Sequence, residues 1–418
     1  MISSKLNKFL KNGSWHSVAK NFGYLTILQG VNFILPLVTL PYLVRVLGSE
    51  KFGIIMFAQS FAMFFNVLVD FGFNLSGTQE ISVNRNNKSA MSEIFWSINA
   101  IKLGLLLVSF ALLFGLTEFV PKLMEYQMVF LLSFGVVVGQ ALFPIWYFQG
   151  IEKMRVVTFV NVGAKVIFTL LIVTMIKNVN QYYWVPIYYT MGYVIAGIVG
   201  FIIAVNQLGI SKPNWTMTTF RFKESSNLFV SNAAVTMYTA SNTAILGFFA
   251  SPSIVGVYAS FEKIILAIKN VYSPFFAALF PWIANKDRTE IIKITKKLMI
   301  PLGVIGLLGT IFIFFGAEKI LQIAFDNEEV TSYSGVFRIL GLITFFSALN
   351  MLINMICLSA LKMYRERMII LVSTGVINVI LALVLVKFWG IWGIAITVTF
   401  SEFLLLAMGL FFFKRIKE

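Results

Sequence analysis

Few residues in this chain are equipped for covalent or metal chemistry. Its 418 positions hold one histidine and one cysteine. His16 sits in an N-terminal stretch beside Lys5, Lys8, Lys11 and Lys20, and Cys357 lies inside an apolar run. No metal-ligand cluster, nucleophile–histidine pair or internal disulfide can be assembled from that supply. A Gly-rich phosphate loop and an ATPase domain are also missing, so the reading is of a protein with no catalytic residues, no metal and no cofactor. What remains are charges and amides placed where they are expensive. Asp70, Lys102, Lys165, Glu262 and Lys269 all fall within long apolar stretches. Ionisable groups at membrane depth usually face a bundle interior or a wet cavity.

Their spacing is helical. Gln59, Asn66, Asp70 and Asn74 fall within an arc of about 80° at 100° per residue, a polar stripe on one helix face. Lys165 shares a face with Thr158, Asn161 and Thr169, while Lys102 lies with Ser109 and close to Asn99. Glu262 and Lys269, seven apart, are joined by Tyr258 and Ser273, and Asn232, Thr236, Thr239 and Thr243 form a further stripe. The bland account is that Asn, Ser and Thr stripes glue helices together at about 0.6 kcal/mol per contact. Similarly, Glu262, Lys263 and Arg338 lie near enough to a span end to snorkel, and Glu402 suits a structural pairing with a neighbouring helix. Lys102 and Lys165 resist that account. At ~1.5 Å per residue they lie roughly 13–17 Å from the inner edge of their spans, near the midplane. Several cations with few anions suit an anionic solute, because phosphate gains charge-assisted hydrogen bonds from lysine in a low dielectric. The amides Asn66, Asn74, Asn161 and Asn232, with Thr236, would line the same cavity and suit sugar hydroxyls.

The elements that must hold these residues are membrane helices. Hydrophobic residues make up 58% of the chain, charged residues 12%, and the mean hydropathy is +0.85. Apolar runs of about 20 residues recur along the whole length, and backbone in hydrocarbon must satisfy its own hydrogen bonds. The pattern predicts about twelve spans, the first near 22–44 and the last near 389–413. The net charge of +15 would suggest nucleic acid in a soluble protein. Here the positive-inside bias explains it: with the N-terminus inside, cytoplasmic segments carry 22 of the 33 lysines and arginines and outer loops carry six. Both termini are therefore expected in the cytoplasm, Met1 to Lys20 being a retained tail because no signal-cleavage site follows it.

The chain divides at the cytoplasmic stretch 207–225 into a six-helix lobe over 1–206 and another over 226–418. The second half weakly echoes the first. Leu47-Gly48-Ser49-Glu50-Lys51-Phe52-Gly53 follows the first span, and Ala250-Ser251-Pro252-Ser253-Ile254-Val255-Gly256 follows the seventh. Both are short outer turns that lead through glycine into a helix start. Six spans per half make a parallel repeat, a transporter architecture. The fold class expected is thus an all-α membrane protein with two six-helix lobes around a central cavity.

Several segments carry a family resemblance. Lys20-Asn21-Phe22-Gly23 through Leu28-Gln29, then Leu35-Pro36, Pro41-Tyr42-Leu43 and Arg45-Val46-Leu47-Gly48, resemble the start of the Wzx-type polysaccharide flippases. So do Lys51-Phe52-Gly53, the run from Asp70 to Ser76 (DFGFNLS), the run from Pro144 to Met154 (PIWYFQGIEKM), and Val255-Gly256-Val257-Tyr258 with Glu262-Lys263-Ile264. Ser260 departs from the alanine expected nearby. The resemblance implies membership of the superfamily that holds multidrug antiporters and lipid II flippases. It implies a cationic cavity between two six-helix lobes, and alternating-access transfer of an undecaprenyl-diphosphate-linked repeat unit, an O-antigen unit on family frequency, across the bacterial inner membrane. Membrane lipids surround such a protein, and a polysaccharide polymerase and a chain-length regulator act beside it. No nucleic acid is involved. Family motifs specify no site, so Lys102, Lys165 and Lys269 as diphosphate ligands, and Asp70 and Glu262 as coupling or gating acids, rest on position alone. Two rivals stay open. A cation-coupled antiporter of the same fold would want a dominant acidic site, against which stand five intramembrane bases. A membrane polymerase or acyltransferase would want a sizeable outer loop or a catalytic His or Asp motif, and the chain has neither.

Overall fold

The computed structural model of the chain describes residues 13–415, and every regular element among them is helical. Lys5, Lys8 and Lys11 of the tail lie outside the described residues, as do the side chains of His16 and Lys20. In chain order the helices are α1 Gly13–Asp70, α2 Phe73–Val83, α3 Lys88–Phe119, α4 Gln127–Leu142, α5 Ile145–Gly150, α6 Met154–Met175, α7 Trp184–Leu208 and α8 Trp215–Phe249. They continue with α9 Pro252–Asn270, α10 Ser273–Ala284, α11 Arg288–Phe325, α12 Glu328–Ser332, α13 Ser334–Gly341, α14 Ile343–Asn350 and α15 Tyr364–Arg415. A single π-helical stretch, Met351–Cys357, follows α14.

Among the described residues, nine helical stretches are long and apolar enough to cross a membrane. Two of them are bent at a glycine: α1 at Gly48 (φ 74°, ψ 166°) and α15 at Gly390 (φ 51°, ψ −126°), conformations that L side chains rarely adopt. The sequence places two spans in each of these. It places a seventh span in α8, which is too polar to be among the nine.

The chain packs as two compact units that interleave along the sequence, whereas the expected lobes are consecutive. One unit comprises Met1–Leu35, Phe65–Met175 and Tyr183–Val230, and the other Pro36–Phe64, Ile176–Tyr182 and Ser231–Glu418. The first unit has a core of Phe73, Ile81, Phe95, Ile98, Trp146 and Phe148, where α2 and α5 pack together beside α3. Its α4 and α7 approach closely at small residues. A Cβ on Gly139 would lie 2.3 Å from the Tyr193 carbonyl carbon, and one on Gly197 would lie 2.5 Å from the Gly139 oxygen. Small residues are what permit such backbone contact between membrane helices.

Between α1 and α2 the chain breaks at Phe71 (φ 48°) and Gly72 (φ 84°). A phenylalanine in the left-handed region costs about 1–2 kcal/mol. Packing holds it there, because its ring stacks between Phe222 and Phe229 of α8 at centroid distances of 4.4 and 4.7 Å. Beneath the break, Arg221 of α8 is 5% exposed and ties α2 to α3. It donates to Glu80 at 2.7 Å and to both carboxylate oxygens of Glu93 at 2.9 and 2.8 Å.

The second unit has its core in the α10, α14 and α15 region, with Phe276, Leu352, Ile353 and Ile370 buried. Within it the two repeat turns meet. A Cβ on Gly53 would lie 1.7 Å from the Pro252 oxygen, and one on Gly256 would lie 2.0 Å from the Ser49 oxygen. The hydroxyls of Ser49 and Ser253 are 2.8 Å apart, and both donate to the Glu329 carboxylate of α12.

Candidate functional site

In the first unit α1 to α7 all contribute to the wall of a polar cavity of about 240 Å³. Its wall takes Asn66 and Asp70 from α1, Asn74 from α2, Lys102 from α3, and Asn161 and Lys165 from α6. Six residues named from sequence spacing thus share one cavity. Lys102 is buried, and its Nζ stands 3.9 Å from Asp70 Oδ1. That distance is an ion pair but too long for a hydrogen bond. Asp70 is the last residue of α1, at the helix break. Lys165 rests over the Tyr193 ring, 5.7 Å from its centroid.

Other stripe members serve packing. Thr158 donates to the Tyr24 carbonyl at 3.0 Å and so ties α6 to α1. Asn99 and Asn161 each donate to a carbonyl one turn back on their own helix. Two cavity residues, Gln140 of α4 and Tyr193 of α7, were not selected from sequence. Each is beside or near a glycine in an apolar helix, and only the α4–α7 contact shows that they point the same way.

The second unit has its own cavity, about 60 Å³, lined by Thr239, Asn242, Glu262, Lys269, Asn378 and Glu402 among others. Glu262 accepts from Thr243 at 3.1 Å and from Tyr258 at 3.4 Å. Lys269 is ion-paired to Glu402, which also accepts from Asn350 Nδ2 at 2.7 Å. Glu402 therefore has the structural pairing expected of it, and Lys269 is its partner rather than a neighbour of Lys102 in the same cavity. Asn232 is exposed and Thr236 half-buried, and neither lines either cavity. The polar wall here comes instead from Asn242, Asn378 and Ser401, where Asn378 donates to Ser401 at 2.9 Å. A lone Asn in the apolar first half of α15 was the available signal for Asn378. Among the described residues no group of three His, Cys, Asp or Glu is arranged to hold a metal.

An all-helical membrane protein with polar cavities buried in its bundles is a transporter architecture. Comparison with solved structures agrees: the chain matches a lipid II flippase MurJ in an inward closed conformation with a TM-score of 0.76, covering 93% of this chain and 87% of that one at 14% identity. It also matches an inward-facing multidrug resistance MATE family transporter with a TM-score of 0.69, over 92% of this chain and 94% of that one at 11% identity. Such identities establish the fold alone, and the fold is that of membrane transporters.

The chain belongs to the polysaccharide biosynthesis protein family, whose model matches residues 18–287. Two relatives match over nearly full length. A protein of Escherichia coli (strain K12) described as "Putative O-antigen transporter" is 27% identical over 410 residues, covering 96% of this chain and 98% of its own. One of Shigella dysenteriae with the same description is 26% identical over 411 residues, covering 95% and 100%. Family and fold make this chain a multi-pass membrane protein of the polysaccharide biosynthesis protein family with a fold shared by membrane transporters.

Proposed function

We propose that this protein is a transporter, a flippase for an undecaprenyl-diphosphate-linked oligosaccharide, an O-antigen repeat unit, which it moves from the cytoplasmic to the periplasmic leaflet of the bacterial inner membrane by alternating access. The observation that carries the reading is the joint placement of Lys102 and Lys165 in one cavity with Asn66, Asn74, Gln140 and Asn161. Two ammonium groups suit the two phosphates, since charge-assisted hydrogen bonds gain strength in a low dielectric. The amides offer paired donors and acceptors for sugar hydroxyls. The full-length match to proteins described as O-antigen transporters supports the same substrate class. In this reading the sugar–diphosphate head enters the cavity while the prenyl tail stays in the bilayer. Release is drawn forward when a polymerase, working with a chain-length regulator, consumes the product. Glu262, half-buried and accepting from the Thr243 and Tyr258 hydroxyls in the second unit, and Asp70 are the acids available for coupling or gating.

The test is made in a host deleted for the gene with polymerase and ligase intact. The expected result is single repeat units on lipid diphosphate, reachable by a sugar-specific probe only after the inner membrane is opened. The wild-type gene restores surface polymer, and Lys102→Met with Lys165→Met does not. Units that are reachable from the periplasm but unpolymerised would transfer the protein to a step after translocation. Intact surface polymer in the deleted host, with no second flippase present, would favour a cation-coupled antiporter.

A further inference from the structure

We infer that Asp70 is a resident counter-anion of the cavity: it faces Lys102 while the cavity is empty, yields that lysine to a phosphate of the arriving ligand, and takes it back when the ligand leaves. This rests on the diphosphate reading above and adds to it a means of release. Three observations carry it. First, the backbone that carries Asp70 is fixed. Asp70 is the last residue of α1, and the following residue is clamped between Phe222 and Phe229. Second, the pairing is incomplete. At 3.9 Å the lysine is drawn by charge but gives Asp70 no hydrogen bond, so its three donors are not committed to the carboxylate. Third, both groups line the cavity together with Lys165, so a bound phosphate lies within range of all three charges.

Electrostatics then sets two opposed demands. Without an anion nearby, a buried ammonium pays a large desolvation penalty, which an opposite charge offsets. With a diphosphate bound, the same carboxylate repels the ligand, and in a low dielectric that repulsion is not screened. A carboxylate that cannot move away weakens binding and speeds departure. The flexible four-carbon stem of Lys102 swings between the two anions, and Asp70 restores the empty site. Asp70 is therefore a positioning and release residue, and Lys102 is the ligand-contacting one.

The test uses the full-length protein in nanodiscs and radiolabelled farnesyl diphosphate, with empty nanodiscs subtracted and farnesol as the uncharged control. Asp70→Asn removes the charge but keeps the size and shape of the side chain, and a thermal midpoint checks that the helix break is preserved. The expected result is farnesyl diphosphate binding at least tenfold tighter in Asp70→Asn, slower dissociation, and reduced surface polymer in cells. Lys102→Met and Lys165→Met weaken binding. If both lysine variants weaken binding while Asp70→Asn leaves it unchanged or weaker, the counter-anion role is overturned and the diphosphate site stands. If neither lysine variant changes binding, the diphosphate reading fails and this inference fails with it. If Asp70→Asn binds tighter yet transports at the wild-type rate, Asp70 is not a release element.

Discussion

Replacing Gly53 with alanine tests the closest backbone approach in the second unit. The added Cβ would sit 1.7 Å from the Pro252 oxygen and 2.7 Å from the Gly256 nitrogen. Ordinary contact begins near 3.4 Å, so the turns would have to separate by about 1.7 Å, or about 1.3 Å to reach a tight 3.0 Å contact. Both obstacles are backbone atoms, which cannot rotate aside. The neighbours Ile54, Ile55, Val255 and Val257 are all buried, so separation opens gaps along both helices. A radial gap of 0.5–1 Å already forfeits a quarter to a half of a dispersion contact. Overpacking of this kind costs about 1–3 kcal/mol, and the larger figure fits a clash with backbone. Gly256→Ala presses on the same contact from the other side, so the double variant costs less than the sum of the singles. Cysteine chemistry reads the separation directly. Ser49→Cys with Ser253→Cys replaces two hydroxyls 2.8 Å apart, and the only native thiol, Cys357, is buried. Oxidation in membranes gives a high disulfide yield in the Gly53 background and a low one with Gly53→Ala, along with a lower thermal midpoint. Equal yields and equal midpoints would refute the close approach.

Two further outcomes follow from buried charge. Arg221→Met leaves Glu80 and Glu93 without their shared partner. Breaking a buried pair costs about 3–5 kcal/mol, less here because both carboxylates are one-quarter exposed. Hydrogen exchange in α2 and the first turns of α3 rises, Arg221→Lys falls between because it loses the bidentate geometry, and a variant as protected as wild type would contradict the clamp. In the second unit, Glu402→Gln removes the negative charge paired with the Lys269 ammonium. Adding Lys269→Met recovers part of that loss, since the two side chains act as a pair. Thermal midpoints of the four combinations measure the coupling, and strict additivity would show that the pair is not formed.

Much of the candidate site was legible because helical periodicity is local. Asn66 and Asp70 are four residues apart on α1, and Lys165 lies four beyond Asn161 on α6, so each pair keeps to one helix face whatever packs against it. Asn74, by contrast, lies past the break at Phe71 and Gly72 and reaches the same cavity from α2. The cost of a charge in hydrocarbon makes such a face turn toward a cavity or a partner, and the lining of the first cavity follows that rule. Sequence identified the repeat turns too, as two glycine-led segments of similar character, without indicating that they touch.

What periodicity cannot supply is the identity of the partner. Lys102 and Lys269 look alike in sequence, each a cation within an apolar stretch of helix. Only the fold sets Lys102 beside Asp70 in a cavity of amides and Lys269 against Glu402, 133 residues away. Thr158 reads as a cavity residue on its helix face, yet its hydroxyl is spent on Tyr24 of α1. Arg221 gives no local sign of being buried, because its partners lie 128 and 141 residues earlier. The sequence by itself determined a membrane bundle, the faces that carry its polar groups and the family it belongs to, since composition and helical period depend on neighbours along the chain. Tertiary structure alone decided which of those groups share a cavity, which neutralise one another and where backbones meet at glycine, because these depend on contacts between distant segments.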